Sequence, residues 1–275
     1  MTPTSLSTHK SPFPTSDDRI DDLRTPQSGW YGIGALTYFT TRKLLLNPFL
    51  VGFSIILPLF MYMLFGAGRD YSDIWVVHTN AAASVLVNMG LYGIIVAASS
   101  VASNIALERI SGISRLFALT PISGHAFFCA RLCALSILNI ITLAVVYIIG
   151  YFTGARMHPE TWLYSFSLII ALCLLPVTIG LAFAFLVRSD GVFTVTSCVI
   201  VLSSFASGLF IPLNQMGSFM QSVAPWTPLY GIFQLSQIPV YGWDNFHWGY
   251  AVNYAVWTVF FGVIAIWAQR HDTAR

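Results

Sequence analysis

The sequence predicts an all-α integral membrane protein with six transmembrane helices, an N-terminal interfacial helix and an extracellular re-entrant helical hairpin before the last span. Three observations carry that fold class. Only 9% of the 275 residues are charged, against 56% hydrophobic, with a mean hydropathy of +0.72; soluble domains carry about 25% charged residues. The charges are gathered into islands, leaving uncharged runs at Leu44–Gly68, Ile74–Leu107, Leu132–Ala155, Thr161–Val187, Gly191–Trp243 and Asn245–Gln269. Each run is long enough to cross a hydrocarbon core of about 30 Å, which needs roughly 20 helical residues.

Met1–Gly29 is rich in Ser, Thr, Pro and Asp and has no apolar stretch. It reads as a disordered cytoplasmic tail rather than a signal peptide, and residues 30–275 as one membrane domain. Trp30–Leu46 mixes aromatics with aliphatics and ends in Arg42 and Lys43, as a helix lying along the inner leaflet would.

The spans follow in order. The first covers about Asn47–Phe65, with Pro58 as a kink. The second, about Val76–Asn104, is long and rich in Ala, Ser and Gly, which let helices approach closely in lipid. The third covers about Phe127–Gly150, the fourth Trp162–Leu186 with Pro176 inside, the fifth Val192–Phe210 and the sixth Trp248–Ala268.

Ile211–His247 is also nearly free of charge, but it holds Pro212, Pro225, Pro228 and Pro239 with several Asn and Gln. Irregular backbone cannot face lipid, because its polar groups would go unsatisfied. Short re-entrant or interfacial helices therefore fit better than a crossing. The distribution of Lys and Arg agrees. Six spans with both termini cytoplasmic leave only Arg69 and Arg156 outside and the other 11 of the 13 inside; a seventh crossing would also put Arg270 and Arg275 outside.

Several function classes are disfavoured. A net charge of +2 gives no nucleic-acid signature. An ion-coupled transporter needs titratable groups at membrane depth, and no proposed span has a charged residue near its middle. His78 reads as an interfacial residue at the start of the second span. A membrane-embedded enzyme needs convergent carboxylates, a His cluster or a nucleophile–base pair; the six histidines are scattered and no such motif is present. Cys129 and Cys133 lie one turn apart near His125 but read as packing, not as a metal pair. The polar residues within spans (Asn88, Ser99, Ser100, Asn139, Ser203, Ser204, Asn253) suit either a substrate path or hydrogen bonds between helices.

Two segments carry mechanism. Ala106–Ser123 places Glu108, Arg109, Gly112 and Arg115 in a short amphipathic pattern that Pro121 ends. Glu108-Arg109, Gly112 and Leu119-Thr-Pro-Ile-Ser123, with Arg131 entering the next span, resembles the cytoplasmic signature of type-2 ATP-binding-cassette transporter permeases. Ser207–Met216, Phe219–Pro225 and Thr227–Gly231 resemble that family's extracellular re-entrant hairpin, here through Gly208, Pro212, Asn214, Pro225 and Pro228. The resemblance covers about Trp30–Arg270.

The resemblance implies a permease subunit in the cell membrane that works as a dimer, with an identical or paralogous copy, and is driven by separate cytosolic ATPase subunits. ATP and Mg would sit on the partner; this chain has no phosphate-binding loop and is expected to bind no cofactor or metal. Arg42, Lys43, Glu108, Arg109, Gly112, Arg115 and Pro121 would couple to the ATPase, and the first and fifth spans would form the dimer seam. The expected cargo of the exporter is a drug, antibiotic or lipid-like metabolite, with a polysaccharide or lipid-linked glycan as the alternative. Ile110-Ser111 and Ile113-Ser114 stand where many relatives carry acidic residues, which leaves subfamily and substrate open.

Overall fold

The computed structural model describes residues 30, 32–110, 124–187 and 191–272. The N-terminal tail and the loop holding Gly112, Arg115 and Pro121 lie outside the described residues. So do the side chains of Glu108 and Arg109, although both belong to a helix.

Helix α1 (Ile33–Leu45) buries Thr41 and Leu44 and half-buries Ile33, Leu36, Thr37 and Thr40, a stripe of helical period. That stripe packs on a later helix, α5 (Gly124–Phe152), where Thr37 Oγ1 donates to the Ala130 carbonyl at 3.5 Å. Its other face exposes Tyr38 and Phe39.

Asn47 caps the next helix, its Oδ1 accepting from the Leu50 N–H. The chain then runs through α2 (Pro48–Val51), a π-helical turn at Gly52–Ile56, and α3 (Leu57–Phe65). The distortion has a cause in Pro58. Proline has no N–H and its ring crowds the carbonyl four residues earlier, here that of Ser54. The wider turn, closed by Leu57 N–H to the Gly52 carbonyl, shifts the Ser54 carbonyl aside. Gly93 of the neighbouring helix lies against it: a Cβ there would stand 2.7 Å from that oxygen.

The second apolar run starts as a β-hairpin rather than a helix. Strands β1 (Trp75–Val76) and β2 (Thr79–Asn80) pair antiparallel. Helix α4 (Ala81–Ile110) begins only after Asn80, whose Oδ1 caps the Ala83 N–H at 2.9 Å. The same oxygen accepts from Arg156 N–H, and Nδ2 donates to the Gly154 carbonyl at 2.8 Å. One buried side chain thus ties the start of α4 to the loop after α5.

The fourth run is two helices, α6 (Pro159–Ala171) and α7 (Leu174–Leu186). The break at Leu172–Cys173 lies four residues before Pro176, as the same crowding of the i−4 carbonyl requires. Helix α8 (Val192–Ala206) stops short of the expected Phe210. Gly208 there adopts φ +88 and its N–H reaches the Phe205 carbonyl, while Leu209 N–H reaches that of Ser204. This pair of bonds around a left-handed glycine closes helix ends efficiently.

After two 3₁₀ turns and α9 (Ser218–Val223), α10 (Tyr230–Ser236) and α11 (Ile238–Tyr241) are largely buried. The chain ends with α12 (Trp248–Asp272).

Four of these helical segments are long and apolar enough to cross a membrane: Ala81–Ser100, Cys129–Phe152, Pro159–Leu186 and Trp248–Ala268. Gly52–Phe65 and Val192–Ala206 are shorter apolar helices. Helix α4 is the axis of the bundle. It is 78% buried over its apolar window, against 17% for α12, and α3, α5, α7 and α8 all pack on it. Its buried Ala82, Ala83, Ala97 and Ala98 allow that crowding.

Candidate functional site

At mid-height of the bundle, α4 does not close fully against its neighbours. A cavity of about 340 Å³ lies between the π-helical turn, α4 and α8, lined by Phe53, Leu57, Tyr92, Val96, Phe193 and Ile200 with Ser99, Ser100, Thr196 and Cys198. Pockets for small molecules occupy about 300–1,000 Å³ and are mainly apolar with a few polar groups. Two of the hydroxyls here are turned onto their own helices: Thr196 Oγ1 donates to the Val192 carbonyl at 2.8 Å, and Ser99 Oγ to that of Ile95. Thr194 and Ser197 of α8 also border the cavity. The rest of the wall is mainly aromatic and aliphatic, and Tyr92 meets Phe210 edge-on at 4.9 Å toward one end.

Phe53 and Leu57 also border a shallow groove on the outer side of the α2–α3 segment, with Ile56 and Phe60. Ile56 and Phe60 are exposed, as are Phe193, Leu202 and Phe205 of α8. The α2–α3 segment and α8 thus each present an uncovered apolar face.

Of the residues singled out for coupling, only Arg42 and Lys43 have described side chains. Arg42 and Lys43 stand exposed in the last turn of α1. Glu108 and Arg109 belong to the last turn of α4, and the rest of that set lies beyond the described chain.

The segment of Gly208, Pro212, Asn214, Pro225 and Pro228 is ordered by α12 and α4. Asn253 Nδ2 donates to the Pro225 carbonyl at 2.7 Å, and its Oδ1 accepts from Gly231 N–H at 3.0 Å. On the other side Gln237 Nε2 donates to Asn88 Oδ1 at 2.6 Å. Asn88 and Asn253 are therefore hydrogen-bond partners that hold this segment, while Ser99 and Ser100 line the cavity. Asn214 is exposed, and Pro212 accepts from Gln215 N–H to start a 3₁₀ turn.

The structure also shows residues that sequence reasoning did not single out. Asn80 at the head of α4 was hidden in a run that looks like continuous helix; an Asn immediately before the alanine run Ala81–Ala83 is the signal that marks it. Phe53, Tyr92, Val96 and Phe193 had no signal beyond hydrophobicity.

Residues 77–268 match the family model described as ABC-2 family transporter protein. The chain is also 22% identical over 199 residues to YvfS of Bacillus subtilis (strain 168), which bears the name of a transport permease; the alignment covers 69% of this chain and 77% of YvfS. The family match takes in α4, the α4 and α8 walls of the cavity, the buried α10–α11 segment and nearly all of α12, and the chain belongs to the ABC-2 family of transporter proteins, as a membrane permease subunit of an ABC transporter.

Proposed function

We propose that this chain is the permease half of an ATP-driven exporter in the cytoplasmic membrane, moving an amphiphilic or hydrophobic cargo such as a drug, antibiotic or lipid-like metabolite. The observation that carries the cargo class is the cavity between the π-helical turn, α4 and α8. Its lining is mainly apolar and aromatic, and its Ser99 and Thr196 protons are spent on their own helices, which leaves Thr194 and Ser197 at its α8 wall as its hydroxyl groups. A glycan would leave most of its hydroxyls unpaired against such a wall.

Six spans are read as 48–65, α4, α5, α6–α7, α8 and α12, with residues 1–29 as a cytoplasmic tail and α1 along the inner leaflet. The 15 residues of α8 reach about 22 Å at 1.5 Å each, short of a full crossing. The buried α10 and α11 then return into that end of the bundle as a re-entrant segment. Both termini and the Glu108–Pro121 loop face the cytoplasm, where Arg42, Lys43, Glu108, Arg109, Gly112, Arg115 and Pro121 meet a separate ATPase that holds the ATP and Mg. A second permease copy covers the apolar faces of the α2–α3 segment and α8. ATP-driven closure of the ATPases rocks the two copies between inward-open and outward-open states.

The test is Val96→Trp, which fills the cavity without adding charge. In inverted vesicles a fluorescent hydrophobic dye is expected to accumulate on ATP addition with the native chain and to stay at background with the variant, both being equally abundant. Uptake by the variant at the native rate would remove the cavity from the cargo path.

A further inference from the structure

The β-hairpin that precedes α4 is built at a cost. Its two-residue loop places Val77 at φ +53, a left-handed conformation in which a β-branched residue is crowded by its own Cβ. Hairpins of this length normally use glycine, asparagine or aspartate there. Strain of this kind persists only where surrounding contacts over-determine it, and such residues gather at functional sites.

The contacts that hold it converge on the next residue. His78 N–H donates to the Val240 carbonyl at 3.3 Å, and the His78 carbonyl accepts from His158 N–H at 3.1 Å. The two imidazoles meet in a T-shaped arrangement, with ring centroids 5.7 Å apart and planes at 87°, and Trp75 packs edge-on against His158. Neither imidazole has a hydrogen-bond partner among the described residues. Both rings border a pocket of about 380 Å³ whose other walls include Glu160, Tyr164, Pro239 and Trp243.

We propose that this pocket binds a divalent transition-metal cation of the zinc class, with His78 and His158 as its protein ligands and water in the remaining positions. A ring nitrogen lies about 1.1 Å from the imidazole centroid and about 2.1 Å from a bound zinc, so two such arms at the tetrahedral angle set the centroids about 5.2 Å apart. The observed 5.7 Å is within half an ångström of that. The Glu160 carboxylate on the same wall adds negative charge. Among the described residues no set of three His, Cys, Asp or Glu side chains gathers at one point. Two protein ligands are fewer than the three of open catalytic sites or the four of structural ones, so the proposed site is weak and exchangeable. Occupancy would clamp the hairpin before α4 to the start of α6 beside α11, three segments that the proposed topology places on the outer face.

The experiment uses the full-length chain carrying a tag without histidine, stripped with EDTA in mild detergent and titrated with zinc chloride in a calorimeter. The native chain is expected to show saturable binding of one zinc per chain. His78→Ala and His158→Ala should each weaken it by at least the roughly 10–100-fold that loss of an outer-shell partner costs other metal sites. His247→Ala, outside the pocket, should bind as the native chain does. Copper(II) bound in place of zinc should show hyperfine coupling to two imidazole nitrogens. No saturable binding, or equal affinity in all four proteins, would overturn the proposal. Should an alanine variant lose its monodisperse elution, the glutamine replacements at the same positions answer the same question.

Discussion

Replacing Gly231 by alanine should unlock the buried segment after α8, and the effect can be sized from the structure. Gly231 opens α10 against α12, and a Cβ on it would stand 2.6 Å from the Tyr250 carbonyl oxygen and 2.7 Å from both Asn253 Oδ1 and Tyr254 N. Real Cβ contacts do not fall below 3.0 Å, so α10 must retreat by about 0.4 Å or more. Two of the three neighbours are backbone atoms of α12 and cannot swing away. Overpacking of this sort costs about 1–3 kcal/mol. The retreat also strains the Gly231–Asn253 hydrogen bond at 3.0 Å and the Asn253–Pro225 bond at 2.7 Å, each worth about 0.5–1.5 kcal/mol. A loss of about 2–4 kcal/mol, at about 2–4 °C per kcal/mol for a chain of this size, lowers the melting temperature in detergent by about 4–16 °C. The control is Gly249→Ala on α12, where a Cβ meets nothing within 4 Å and the change should be neutral or slightly stabilising. Thermal unfolding followed by size-exclusion chromatography compares them. Equal melting of the two variants would refute the close packing of α10 on α12.

Asn80→Ala removes three hydrogen bonds at a buried position and should cost about 2–4 kcal/mol, read as a lower melting temperature; a variant as stable as the native chain would discount the junction. Glu108→Gln and Arg115→Gln should leave the chain folded in detergent but separate ATP hydrolysis from transport, and normal transport by both would remove the coupling assignment. Cysteines placed at Asn214 and Gln221, both exposed, in a background without the four native cysteines should react with an impermeant maleimide added to whole cells; labelling confined to inverted vesicles would reverse the topology.

Much of the fold was legible because the bilayer imposes simple rules. Absence of charge located the helices, and Pro58 forecast where one of them is disturbed; Pro176 was seen inside the fourth run, but not the break it brings. What the sequence concealed was how the disturbance is absorbed. Pro58 is absorbed in a π-helical turn, and the Ser54 carbonyl it displaces lies against Gly93, a neighbour that no local pattern reveals. The second run was read as helix from Val76, whereas Trp75–Asn80 is a hairpin; four apolar residues at Ile74–Val77 suit a strand and a helix equally. The cavity was only half visible. Ser99 and Ser100 stood out as polar residues in an apolar run, but Phe53, Tyr92 and Phe193 resemble any other membrane side chain until tertiary packing sets them around a void. Asn88 and Asn253 were noticed for the same reason as the serines, and distance in sequence hid their partners: Gln237 lies 149 residues from Asn88.

The central claim is that this permease is driven by an ATPase carried on another chain. The direct measurement is purification of the tagged full-length protein from its native membrane in mild detergent, followed by identification of co-purifying chains and assay of ATP hydrolysis. The account predicts a stoichiometric partner with a phosphate-binding loop, and hydrolysis that disappears when a catalytic residue of that partner is replaced. A monodisperse, folded chain that elutes without any ATPase, and moves cargo in response to an ion gradient instead, would contradict it.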